Sequence, residues 1–204
     1  RLVSGCTHDA DQFRRAYCYT EDVDGALWQY EPALRALFDQ FAYGVGAVGD
    51  KMRSTKLLDL HELHDLIDRL DYVDESVTWR EVKQAFVWSR LLVIDEHSEH
   101  GRAKLTQMTF EDFLEMTCRL AYMMALPTDA ELSALDAQHP LDFFAKLRAA
   151  EGADAIEAFQ ARNSCNMDCE LRAGQTLGQK VTQFMEWLIR RVQGTADAAE
   201  GEPT

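Results

Sequence analysis

Apolar residues along this chain recur three and four positions apart, and no stretch alternates for the length of a strand, so the pattern predicts helices throughout. Residues 8–18 read as a short helix around Phe13 and Tyr17, and Glu21-Asp22-Val23-Asp24-Gly25 as a turn. Glu31-Pro32 then opens a longer helix, because proline suits a first helical position. Leu34, Leu37, Phe38 and Phe41 give that helix an i, i+3, i+4, i+7 stripe, and Gly44 and Gly46 stop it. A second helix carries Leu60, Leu63, Ile67 and Leu70. Ser76 and Thr78 are both suitable caps for a third, with Val82, Ala85, Phe86 and Leu91, and Thr78 with Glu81 has capping-box spacing. Thr109 caps a fourth, with Phe110, Phe113, Leu114, Leu120 and Ala121 facing inward. Thr128 starts two or three shorter helices, interrupted at Pro140 and Gly152. The last helix, over about 176–193, carries Leu177, Val181, Phe184, Met185, Leu188 and Val192. Arg190 and Arg191 suit the negative end of its dipole, and Gly194 ends it. The small acidic stretch 195–204 reads as a disordered tail.

Part of this pattern is repeated. Leu58-Asp59-Leu60-His61-Glu62-Leu63 and Met108-Thr109-Phe110-Glu111-Asp112-Phe113 share one order: apolar, cap, apolar, polar, acidic, apolar. The offset is 50, and the preceding helices repeat too, Leu37-Phe38 falling opposite Ala85-Phe86 at an offset of 48. A helix–loop–helix unit used twice is therefore expected. Leu58 and Met108 occupy the position where paired EF-hand loops bond to each other as a short strand, and Glu62 and Asp112 the position of the last calcium ligand. The expected fold is all-α, a degenerate EF-hand pair followed by additional C-terminal helices. Its divisions are an N-terminal extension (1–30), the EF-hand-like pair (31–126), a C-terminal helical region (127–194) and the acidic tail (195–204).

The calcium chemistry does not accompany the scaffold. A calcium loop needs oxygen ligands at positions 1, 3 and 5, glycine at 6 and a carboxylate at 12. Counting back from Glu62 places Lys51, Arg53 and Thr55 at the first three, and counting back from Asp112 places Gly101, Ala103 and Leu105 there. Cations and apolar side chains cannot hold a dication, so no metal is expected in either loop. The stretch Thr20–Glu31 fits better, with acids Asp22 and Asp24 at 3 and 5, Gly25 at 6 and Glu31 at 12, but Thr20 stands at position 1. The plainer reading there is a polar turn before Pro32, and a calcium-binding regulator using 20–31 is the alternative.

With the degenerate pair established, residues 31–121 resemble the p25-alpha family, the tubulin polymerisation-promoting proteins. The residues that carry the likeness are Phe38-Asp39-Gln40-Phe41-Ala42-Tyr43-Gly44, Met52, Leu70, Ser76-Val77-Thr78, Val82, Phe86, Ser89, Met108, Phe110, Phe113, Leu120 and Ala121. The resemblance covers under half the chain. It implies an EF-hand-like fold and non-enzymatic association with microtubules, in the cytoplasm and cytoskeleton. The segment is also similar in style to EF-hand-like proteins of cilia and flagella, which extends the expected partners to axonemal proteins.

Composition sharpens the choice of partner. The 204 residues hold 21 Lys and Arg against 35 Asp and Glu, a net charge of −14. That disfavours a nucleic-acid binder, which needs a basic face, and a polybasic membrane anchor. Within this acidity Lys51, Arg53 and Lys56 form one dense basic cluster, suited to an acidic partner such as a tubulin tail; local charge balance is the plainer reading. The chain begins at Arg1 with no apolar signal-type segment, so residues are expected upstream. Five cysteines, at 6, 18, 118, 165 and 169, suit a reduced intracellular protein. Cys165 and Cys169 read as two ordinary thiols, with a structural or local redox role as the alternative.

His61 and His64 pair at i, i+4 with Asp65 and Asp68, and His97 and His100 lie in an acidic loop. These spacings would suit a metal-dependent enzyme, but a solvated face is the plainer reading. No phosphate-binding glycine loop or nucleophile elbow is present, so neither catalysis nor a cofactor is expected. Phe38, Phe41, Phe86, Phe110, Phe113 and Met116 are the expected walls of a hydrophobic groove. The amphipathic last helix, with Phe184, Trp187 and Leu188, or a partner's helix, would occupy it.

Overall fold

The structure is a computed structural model, which describes residues 8–42, 56–74, 77–90, 97–98, 101–102, 106–152, 154–167 and 169–200. Helix α1 (Ala10–Phe13) runs into a π-helical turn, Arg14–Cys18, and then α2 (Glu21–Phe41). Strand β1 (Leu58–Asp59) leads directly into α3 (Leu60–Leu70), and α4 (Trp79–Ser89) follows. Strand β2 (Gln107–Met108) leads into α5 (Phe110–Met123). Four further helices complete the described chain: α6 (Asp129–Ala134), α7 (Pro140–Glu151), α8 (Asp154–Asn163) and α9 (Leu177–Glu200). The all-α expectation holds, the described strands being one two-residue pair.

Local chemistry sets most helix starts. Asp59, Thr78, Thr109 and Thr128 each close a capping box with Glu62, Glu81, Asp112 and Glu131. Each satisfies two otherwise unbonded backbone N–H groups, and losing such a cap costs about 1 kcal/mol. The boxes at 59 and 78 recur at 109 and 128, so the repeat extends beyond the segments that reveal it in sequence. Pro140 stands at the start of α7, and Gly152 ends that helix at φ 97°, in the left-handed region.

Two boundaries differ from expectation. Helix α2 starts at Glu21, so the expected turn at 21–25 is helical and Pro32 lies inside the helix. Glu21, Asp22 and Asp24 complement the positive end of its dipole, while Val23 and Ala26 are buried. Proline removes the hydrogen bond to the Trp28 carbonyl, but Trp28 and Pro32 lie on the exposed side, where water replaces it. At the other end α9 passes Gly194 and reaches Glu200, replacing the first part of the expected tail. One glycine costs about 1 kcal/mol in a helix, and Ala196, Ala198 and Ala199 favour continuation.

One hydrophobic core runs through these elements. It joins Phe13, Val23 and Ala26 from before residue 30 to the repeated units and to Val181, Phe184, Met185, Trp187 and Leu188 of α9. The expected boundaries at 30/31 and 126/127 therefore do not separate cores. A smaller cluster, Ala125, Ala137, Phe143, Leu147 and Phe159, packs around α7 and α8. Among the described residues no helix is long and apolar enough to cross a membrane.

Helix α9 lies along α2, and Gly178 sets their approach. A β-carbon at Gly178 would stand 2.7 Å from the backbone carbonyl of Asp22. Gly25, in α2, has nothing within 4 Å of the same point. Urea denaturation is expected to show Gly178→Ala losing about 1–3 kcal/mol by overpacking. Gly25→Ala is expected to gain about 0.5–1 kcal/mol from helix propensity.

Candidate functional site

The two repeated units meet where the sequence repeat marks them. Leu58 stands opposite Met108 and Asp59 opposite Gln107 in an antiparallel pair, and Leu58 and Met108 are both fully buried. The acids expected at the last ligand positions serve the backbone. Glu62 Oε2 accepts the Asp59 N–H at 2.8 Å, and Asp112 Oδ2 accepts the Thr109 N–H at 2.8 Å. Of the six expected early ligand positions, Gly101 is described; residues 51, 53, 55, 103 and 105 lie outside the described residues.

The alternative calcium loop at 20–31 is corrected by the structure. Glu21–Glu31 wind through α2 and form no twelve-residue cradle. Asp22 instead accepts the Gly178 N–H at 3.2 Å across the α2–α9 contact. Hydrogen bonds from Thr20, Thr176 and the Gly178 N–H hold its carboxyl below the ordinary aspartate value.

The six expected groove residues are brought together, but inside the core. Phe38, Phe41, Phe86, Phe110, Phe113 and Met116 are all buried. Phe38 meets Phe110 edge-on at 5.6 Å and lies 5.5 Å from Phe113. Helix α9 packs on α2 and α5: Phe184 and Trp187 both meet the Tyr72 ring edge-on, and the Tyr72 hydroxyl donates to the Leu120 carbonyl at 2.8 Å. A cleft of about 390 Å³ remains between α2, α3 and α9, lined by Leu37, Phe41, Leu66, Leu70 and Val192, with Gln40 and Arg69. Burial of all six closes the expected groove.

The other candidates stay at the surface. His61 lies 3.7 Å from Asp65 and His64 3.0 Å from Asp68. His64 also stacks on Trp79 at 4.0 Å. His97 is described and His100 is not. Among the described residues no group of three or more His, Cys, Asp or Glu side chains is placed to hold a metal ion. In the basic cluster, Lys56 pairs with the Asp39 carboxylate at 3.1 Å and donates to its carbonyl at 3.0 Å; Lys51 and Arg53 lie outside the described residues.

No family model, curated protein or solved structure matches this chain.

The sequence reading missed a buried charge cluster. Arg14 donates through Nε to both oxygens of Glu115, at 2.8 and 2.7 Å, and through Nη2 to the carbonyls of Trp88 and Arg90. Arg119, with no exposed surface, donates to Glu115 and to Ser89, and its guanidinium lies 4.8 Å over the Phe13 ring. One carboxylate thus serves two buried guanidiniums, one from its own helix and one from the N-terminal segment. The available signal was α5 itself: nearly all its residues are apolar or buried, so Glu115 and Arg119, one turn apart, had no solvent side to occupy. Removing one member of a buried pair strands the other charge, at a cost of about 3–5 kcal/mol. Glu115→Ala is expected to lose that much in chemical denaturation. Asp11→Ala, which removes a largely exposed partner of Arg14, is expected to lose under about 1 kcal/mol.

Lys180 is a second buried charge, donating to the carbonyls of Tyr122 at 2.7 Å and Met124 at 2.8 Å. Loss of water pushes its pKa down to about 8. The unfolded chain therefore binds this proton more tightly than the folded one, and folding gains stability as pH rises from about 8 toward the ordinary lysine value of about 10.4. Cys165, pushed up to about 12 by burial, opposes this in the same range. The difference between variants isolates Lys180: the stability of the wild type relative to Lys180→Met is expected to rise between pH 8 and 10.

Proposed function

We propose that this chain is a non-enzymatic, calcium-independent EF-hand-like adaptor whose partners are proteins of the microtubule cytoskeleton. The observation that carries the reading is the pairing of Leu58 with Met108. It joins two repeated helix–loop–helix units at the residues a loop pair would share, while no acid stands at the first three ligand positions of either loop. Such a pair keeps the scaffold of a calcium sensor without the ion that opens one. The likeness of residues 31–121 to the p25-alpha family supplies the cytoskeletal setting.

Because Phe38, Phe113 and their neighbours are buried in the core, the adaptor meets its partner on the outer surface. Attraction between Lys51, Arg53 and Lys56 and an acidic tubulin tail is short-ranged on a chain of charge −14, so it weakens with salt. Co-sedimentation with microtubules at low ionic strength tests this. Pelleting is expected, with a several-fold loss on raising the salt or in the Lys51→Glu, Arg53→Glu double variant. A chain that stays in the supernatant at low salt contradicts direct tubulin contact.

A further inference from the structure

Cys165 and Cys169 lie in the connection between α8 and α9, outside any helix. They stand four residues apart in one turn. Both also turn about Asn166: the Cys165 thiol donates to the Asn166 carbonyl at 3.1 Å, and the Cys169 thiol to Asn166 Oδ1 at 3.2 Å. A backbone turn, Cys169 N–H to the Asn166 carbonyl at 3.2 Å, holds the two ends together. The turn is anchored to the core, since the Tyr122 hydroxyl donates to the Cys169 carbonyl and the Cys165 N–H to the Met123 carbonyl. Cys169 is exposed and borders a cavity of about 300 Å³ shared with His8, Tyr17 and Tyr122, whereas Cys165 is only partly exposed.

A disulfide requires the two sulfurs to close to about 2 Å with suitably directed β-carbons. Here that closure asks for side-chain rotation within a turn and breaks no helical hydrogen bond. The contrast within the same chain is Cys18 and Cys118, both sealed in the core.

We propose that Cys165 and Cys169 form a redox-modification site, in which a small peroxide converts the two thiols into an intramolecular disulfide. The exposed Cys169, as thiolate, attacks a peroxide oxygen. The O–O bond breaks, Cys169 becomes a sulfenic acid, and the departing oxygen takes up the thiol proton as water or alcohol. Cys165 sulfur then attacks Cys169 sulfur, the S–O bond breaks, and the hydroxide leaves with the Cys165 proton as water. Two thiols lose two electrons and one peroxide gains them. Cys169 is the exposed thiol at the cavity and so meets the peroxide first; Cys165, only partly exposed and in the same turn, is left the second, resolving step. The site stands apart from the adaptor reading and is independent of any partner.

The test uses the full reduced chain, titrated with hydrogen peroxide, then alkylated, cut with trypsin and weighed. Both cysteines fall in one tryptic peptide, 163–172, between Arg162 and Arg172. The expected result is that this peptide becomes lighter by two hydrogens and loses both alkylations, while Cys18 and Cys118 react only after denaturation. In Cys165→Ser, Cys169 is expected to stop as a sulfenic acid that dimedone traps; in Cys169→Ser, Cys165 is expected to remain a thiol at the same dose. Retention of both alkylations, a link from either residue to Cys6 or to a second chain, or oxidation of Cys169 to a sulfonic acid with Cys165 still alkylated would each overturn the proposal.

Discussion

Helix α5 has almost no side left for water, and the rest of the molecule is arranged to cover it. From Phe110 to Met123 nearly every side chain is buried, including Asp112, Glu115, Thr117 and Arg119. Helices α2, α4 and α9 and the π-helical turn all pack on it. A helix apolar on every side is stable only in the middle of a core. That requirement explains why the described N-terminal segment and the last helix belong to the same hydrophobic cluster as the repeated units between them.

The same burial dictates the electrostatics. A carboxylate and a guanidinium on α5 cannot reach solvent, so they bond each other and take Arg14 from the N-terminal segment as a third member. The net contribution of such a cluster to stability is small, because desolvation offsets attraction. Its effect is to fix position: Arg14 Nη2 also reaches the Trp88 and Arg90 carbonyls, which ties the N-terminal segment to the end of α4. Lys180 does the same for α9, capping the carbonyls of Tyr122 and Met124 where α5 ends.

What was legible in the sequence was what short-range chemistry decides. Caps at Thr78, Thr109 and Thr128 follow from a side chain reaching a backbone N–H two or three residues ahead, and the pairing site at Leu58 and Met108 follows from the repeat. Long-range packing decided the rest. Pro32 looked like a helix start because the local rule allows it there, yet the burial of Val23 and Ala26 extends α2 back to Glu21. Gly194 looked like a stop, but an alanine-rich continuation carries α9 past it. Phe38, Phe113 and Met116 were legible as apolar residues of one wall; that they are sealed inside the core depends on long-range packing that their spacing does not reveal. The partnership of Arg14 with Glu115 left no local trace, since neither residue indicates the other.

The account therefore rests on a closed core and on the proposal that the segments paired at Leu58 and Met108 hold together without an ion. Amide hydrogen exchange by mass spectrometry, run in calcium and again in a chelator, addresses closure and metal independence together. The expected result is one pattern in both conditions, with α5 the slowest-exchanging segment. Protection that appears over residues 58–62 and 107–112 only in calcium, or α5 exchanging as fast as α8, would contradict it.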